Sequence, residues 1–257
     1  MSYNTIILEK KNGYAIVKLN RPREMNVICK EMRQELYRVF SELEVATEVR
    51  SIILTGGEYV FSAGMDIKEM SNLPSEEGDE FLESMMKYLK KIYSCKKPIV
   101  AAVGGIALGG GFNLVTVCDL VVASESAIFC HPELKFGFNP FFYPLSQIVG
   151  FTKAKEIVML GEPIGANEAL KIGLVNKVAS PENFMKAAED MAAVLAGRSA
   201  KALEELKNLC SIVLRMDKMA ALDIESSICA LLFARDERKT QMQKVLSQKK
   251  VLTKSKE

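Results

Sequence analysis

Apolar residues in the first half of the chain fall into two kinds of run. Some are short, continuous and rich in β-branched residues: Tyr14–Leu19 (YAIVKL), Ser51–Thr55 (SIILT), residues 98–103 (PIVAAV) and residues 119–123 (DLVVA). Runs that are apolar throughout predict strands covered on both faces. Between them, apolar positions recur every three or four residues. Met32, Leu36, Phe40 and Leu43 predict a helix over residues 30–46, and Phe81, Met85, Leu89 and Ile92 predict one over residues 80–94. Residues 109–118 read as a glycine-opened helix. This alternation predicts an α/β core with parallel strands and right-handed crossovers.

Beyond about residue 150 the strand signals fade. Residues 152–160, 166–172, 181–196, 199–214, 219–234 and 236–247 all read as helical. The chain is therefore expected to be an α/β core of residues 1–195 followed by a helical region of residues 196–257. No internal repeat or low-complexity tract is visible. The first eleven residues are polar and charged, with no signal peptide, and no run of about 20 apolar residues predicts a membrane span.

Composition narrows the chemistry. Of 257 residues, 34 are Lys or Arg and 32 are Asp or Glu, a net charge of +2. That balance gives bulk nucleic-acid binding little support. His131 is the only histidine, which excludes a multi-histidine metal site. Other acid–base chemistry must then use carboxylates, Tyr, Lys or Cys. The six cysteines form no CxxC pair, and a chain this long needs no bridges, so a reducing, cytoplasmic compartment is expected.

Five of the sixteen glycines lie between residues 104 and 111 (GGIALGGG). They follow a buried strand and open a helix, so they form either a tight turn or a cradle of backbone amides for a developing anion. The run is neither a Walker A loop nor a good dinucleotide fingerprint. A second cluster, FSAGMDI over residues 61–67, also follows a buried strand. Two such loops at the carboxyl edge of one sheet could aim two N–H groups at one point, an oxyanion hole.

The segments FSAGMDIKEM and KPIVAAVGGIALGGGFNLVTVCDLVVASESAIFCHPELKFG, with LNRPREMN upstream and ANEALKIGLVNKV downstream, resemble the crotonase (enoyl-CoA hydratase/isomerase) superfamily over essentially the whole chain. The resemblance implies a spiral of β-β-α units with a C-terminal helical trimerisation region, and a homotrimer or dimer of trimers. It implies an acyl-CoA substrate, coenzyme A as part of that substrate, no prosthetic group, and stabilisation of a thioester enolate. By position, the oxyanion donors fall on the backbone amides of Met65 and Gly110. Arg23, Ala63, Asp66, Ile67 and Lys254 match CoA-contacting positions; Arg23 and Lys254 read equally as solvated charges.

Hydratases of the superfamily carry two glutamates twenty residues apart. Here the two positions hold Asn113 and Glu133, with the spacing kept. Asn cannot exchange a proton at neutral pH, although it can hold a water. Glu133 is thus the general acid/base candidate, for water addition with Asn113 positioning the water, or for a double-bond shift. A decarboxylase of acyl thioesters, and a non-catalytic scaffold or RNA-binding member, are the alternatives. Next in sequence, the superfamily's glycine-rich run is replaced by Gly137-Phe138-Asn139-Pro140-Phe141-Phe142-Tyr143-Pro144. This predicts an aromatic acyl pocket lined by Phe138, Phe141 and Tyr143, with His131 beside Glu133, or else altered packing under the helical region.

Overall fold

The continuous apolar runs form the middle of a parallel sheet, because only a strand covered on both sides tolerates such a run. A computed structural model describes residues 2–236, 238–243 and 246. In chain order the elements are β1 (Ile6–Lys10), β2 (Tyr14–Leu19), α1 (Lys30–Val45), β3 (Ser51–Thr55), β4 (Val60–Ser62), α2 (Ile67–Ser71), α3 (Gly78–Tyr93), β5 (Ile99–Val103), β6 (Ile106–Leu108), α4 (Gly110–Thr116), β7 (Leu120–Ser124) and β8 (Ile128–Cys130). There follow α5 (Phe142–Val149), α6 (Phe151–Leu160), β9 (Ile164–Gly165), α7 (Ala166–Lys171), β10 (Lys177–Ala179), α8 (Phe184–Ala196), α9 (Ala200–Ile212) and α10 (Lys218–Phe233).

The larger sheet runs β1-β2-β3-β5-β7-β10 and the smaller β4-β6-β8-β9. The pairs β3–β5 and β5–β7 are parallel, as are β4–β6 and β6–β8. The turns built on β3-β4, β5-β6 and β7-β8 therefore each give one strand to the large sheet and one to the small sheet, the spiral expected from the resemblance, while β1 and β2 both join the large sheet.

One face of the large sheet is covered by α1, α3 and α4, through Met32, Leu36, Phe40, Leu89, Ile92 and Leu114. The other face, from Ile16, Ile53, Val100, Ala102 and Val122, is covered by α8 through Phe184, Ala187, Ala188 and Ala192. Small residues on α8 let the helix approach the sheet closely. Phe184 fills the remaining space and is 1% exposed.

Successive turns also touch closely. A Cβ on Gly105 would lie 1.9 Å from the Tyr59 carbonyl, and one on Gly111 would lie 2.3 Å from the Ser62 carbonyl. Much of the glycine cluster is thus required by backbone meeting backbone.

Three features go beyond the sequence reading. The polar N-terminal stretch contains an edge strand, β1, which pairs antiparallel with β2 from Ile6 opposite Leu19 to Lys10 opposite Ala15. Strands do continue beyond residue 150 as β9 and β10, of two and three residues, too short to show a period. The aromatic run enters a helix, α5, at Phe142, with Pro144 in the first turn where its missing N–H costs nothing. The chain divides into two compact units, Met1–Ala196 and Gly197–Glu257. Among the described residues, no helix is long and apolar enough to cross a membrane.

Phe184→Ala is expected to lower unfolding free energy by about 3–5 kcal/mol in urea titration, since it empties a closed interface. A loss below about 1 kcal/mol would contradict this account of the α8 face.

Candidate active site

Three neighbouring parallel strands end at one edge of the small sheet. After β4 comes Ala63-Gly64-Met65, after β6 comes Gly109-Gly110, and after β8 comes His131-Pro132-Glu133. Register pairs Ser62 with Ala107 and Leu108 with Cys130. The Gly109 N–H then donates to the Cys130 carbonyl at 2.9 Å, extending the ladder into the loop.

This pairing brings two backbone amides together. A Cβ on Gly110 would lie 3.3 Å from the Met65 nitrogen, and one on Gly64 would lie 3.2 Å from the Gly110 nitrogen. Gly110 begins α4, where an N–H has no intrahelical acceptor. Among the described residues neither amide donates to a carbonyl. Gly109 takes φ +49°, ψ −117°, a conformation open to glycine and strained for other residues.

Glu133 stands over this turn. Its Oε1 lies 3.3 Å from where a Gly109 Cβ would be. The carboxylate is 18% exposed, and His131 Nδ1 lies 3.2 Å from each of its oxygens. His131 is fully buried, and its ring stacks on Phe112 at 4.4 Å and 22°. The lone histidine is therefore held by an aromatic face and directed at the carboxylate. Its Nε2 is buried without a hydrogen-bond partner among the described residues.

Asn113 lies one turn into α4 and is 5% exposed; its Oδ1 is likewise buried without a partner. Burial pushes the Cys130 thiol above its ordinary pKa, and its Sγ donates to the Gly161 carbonyl at 3.3 Å, so it is a packed thiol and not a thiolate nucleophile.

The other predicted residues are placed less centrally. Ala63 and Asp66 flank the Met65 loop, and Ile67 is exposed. The Asp66 carboxylate caps α2 by accepting from the Lys68 and Glu69 amides at 3.0 and 3.3 Å. Arg23 is exposed, and Lys254 lies outside the described residues. Phe141 is half-buried against the core, while Phe138 and Tyr143 are about half exposed. The Phe138 N–H donates to the Glu133 carbonyl at 3.1 Å, but among the described residues the side chains of Phe138 and Tyr143 make no hydrogen bond or ring contact with Glu133 or His131.

Sequence reasoning missed Asn26. It is fully buried and sits at φ +52°. Its Nδ2 donates to the Gly56, Val60 and Phe61 carbonyls at 3.1, 3.3 and 3.2 Å, and its Oδ1 accepts from the Arg21 amide at 2.8 Å. Ser62 Oγ donates to the Asn26 carbonyl at 2.8 Å. One amide side chain thus ties the LNRPREMN segment to the strand that leads to Met65. The signal was present, since Asn ends that motif, but no spacing rule points from it to residues 56–62.

The sequence profile of the enoyl-CoA hydratase/isomerase family matches residues 9–255. The chain is 35% identical to a short-chain-enoyl-CoA hydratase of Clostridium acetobutylicum over 255 residues, covering 98% of each chain. It is 34% identical to a crotonyl-CoA hydratase of Syntrophomonas wolfei, covering 97% of this chain and 98% of the relative. A crystal structure of an enoyl-CoA hydratase from Bacillus anthracis superposes with a TM-score of 0.91 at 26% identity, covering 95% and 97% of the two chains. With its two-sheet spiral and its full-length relatives, this chain belongs to the enoyl-CoA hydratase/isomerase family.

Proposed function

We propose that the protein adds water to short-chain 2-enoyl-CoA thioesters through an enolate held by the Met65 and Gly110 amides. The observation that carries this reading is the convergence of two unpaired amides and one carboxylate at a single sheet edge. The two amides donate to the thioester oxygen and strengthen their hold as negative charge develops there. One such donor is worth about 3–4 kcal/mol in rate.

Glu133 accepts a proton from a water whose oxygen bonds to C3. The C2=C3 electron pair moves toward C1 and the thioester oxygen takes the charge. Glu133 then returns the proton to C2, so the carboxylate ends as it began. Asn113 Oδ1, with no donor of its own, accepts the second hydrogen of the water. His131 Nδ1 fixes the carboxylate's orientation. The full-length likeness to a short-chain-enoyl-CoA hydratase and a crotonyl-CoA hydratase supports the acyl class. Phe138, Phe141 and Tyr143 would border the acyl group. Arg23, Ala63, Asp66, Ile67 and Lys254 would meet the CoA moiety.

Asn113 favours a second reading. With one carboxylate, Glu133 can remove a proton from C2 of a 3-enoyl-CoA and deliver it to C4, which shifts the double bond with no water consumed.

The helical unit is the proposed oligomerisation region. Neither α9 nor α10 buries a residue, and Leu206, Leu222, Leu231 and Phe233 are each more than half exposed in the single chain. Apolar surface of this kind calls for a cover, here further copies of the same chain.

Three outcomes are expected. Glu133→Gln lowers turnover of 2-enoyl-CoA by about 10²–10⁴-fold, followed by loss of the conjugated absorbance; unchanged turnover would remove Glu133 from the mechanism. Asn113→Glu raises water addition relative to double-bond migration when 2- and 3-enoyl-CoA are compared by product chromatography. An unchanged ratio would show that residue 113 does not divide the two reactions. Light scattering gives a mass of three or six chains of 28.5 kDa, and Leu222→Glu with Phe233→Glu reduces it; a monomeric parent protein would overturn the oligomer.

A further inference from the structure

Arg33, on α1, is the most completely bonded buried cation near the site. Its side chain is 2% exposed. NH1 and NH2 donate to the two carboxylate oxygens of Glu69 at 3.0 and 2.6 Å, a bidentate pair. Nε donates to Ser84 Oγ at 2.9 Å, and the guanidinium lies 4.7 Å from the Phe81 ring centroid. NH1 also donates to the Ile28 carbonyl at 3.3 Å.

The two ends of this network flank Met65. Upstream, Ile28 forms a parallel bridge with Met65, and its N–H donates to the Gly64 carbonyl at 2.8 Å. Downstream, Glu69 lies in the first turn of α2, four residues after Met65, and its Oε2 also accepts from the Lys30 amide at 3.0 Å. A single guanidinium therefore holds the segment before the Met65 amide, through Ile28, and the helix after it, through Glu69. A backbone donor works only when its direction is fixed before charge develops, within about 0.5 Å of the productive place.

We propose that Arg33 is a positioning residue: through its fork to Glu69 and its bond to the Ile28 carbonyl, it fixes the Met65 amide and so sets the strength of the oxyanion hole without touching substrate. This rests on the reading of Met65 as an oxyanion donor. A lysine would keep the charge but lose the fork. An apolar pair would fill the space and keep the fold while abolishing the tether.

The test uses Arg33→Lys and the double variant Arg33→Met/Glu69→Met in the full chain. The main probe is acetoacetyl-CoA, a β-keto thioester whose enolate absorbs in the near ultraviolet and whose ionisation needs no Glu133 turnover. Wild type is expected to lower the pH midpoint of enolate formation for the bound thioester. Both variants should return the midpoint toward that of the free thioester by about one pH unit, a tenfold change. Each should also lose roughly tenfold to a hundredfold in kcat on 2-enoyl-CoA with KM within about twofold. A folded double variant, judged by circular dichroism and thermal melting, keeps the test open if Arg33→Lys fails to fold. Wild-type midpoint and kcat in a folded variant would overturn the positioning role while leaving the oxyanion hole standing. A wild-type protein that does not move the midpoint at all would remove the oxyanion hole, and this role with it.

Discussion

Parallel hydrogen bonding that sets Ser62 opposite Ala107 and Leu108 opposite Cys130 determines where three loops leave the small sheet. Because the strands run the same way, Met65, Gly110 and Glu133 emerge from the same edge. A slip of one residue would turn the side chains of β6 to the opposite face and carry Gly109 off the Cys130 carbonyl. The geometry of the proposed site is therefore a property of strand register before it is a property of any side chain. Glycine enforces it: where the second turn crosses the first, at Gly105 and Gly111, no Cβ fits between the backbones. The same residues that open α4 and leave the Gly110 amide free are those that let the strands close up.

The large sheet was legible because its inner strands are buried on both faces, and continuous apolar runs such as SIILT and PIVAAV announce that burial directly. The small sheet was not. Its strands have three residues or fewer, less than two periods of alternation, and β6 is flanked by glycines that read as turn. The spiral repeats in backbone geometry while its residues differ, so no internal repeat showed in the sequence. Edge strand β1 carries Glu9 and Lys10 outward, which masked it as a polar terminus. For the site, Glu133 and the two amides followed from motif spacing and family resemblance. Asn26 and Arg33 did not, because each works largely through partners 30 to 51 positions away, among them Phe61, Glu69 and Ser84, and only the fold brings those partners near.

The scarcity of histidine has a physical counterpart. His131 cannot serve as a freely solvated base: it is fully buried, stacked on Phe112, and directed at Glu133. Its contribution in this arrangement is to hold the carboxylate from one side while the Gly109 turn limits it on another. A glutamate side chain has three rotatable bonds, and confining it between an imidazole and a backbone turn removes the freedom that would misplace a proton donor.

That arrangement also explains how one position can change what the site does. In the proposed mechanism the electrostatic work on the thioester falls to two main-chain amides, which no side-chain substitution removes. The same proposal gives the proton work to one carboxylate fixed by its own contacts. Position 113 is then the part left to vary, one turn inside the helix whose first amide is the proposed donor to the substrate. A glutamate there supplies a second proton carrier; an asparagine supplies only a hydrogen-bonding partner for water. Its Oδ1 stays buried without a donor among the described residues, a condition that costs stability unless something in the working enzyme satisfies it. A water poised for attack is the simplest such partner. In the proposed hydration, that atom gives the asparagine a task on water beyond filling the space of a lost glutamate.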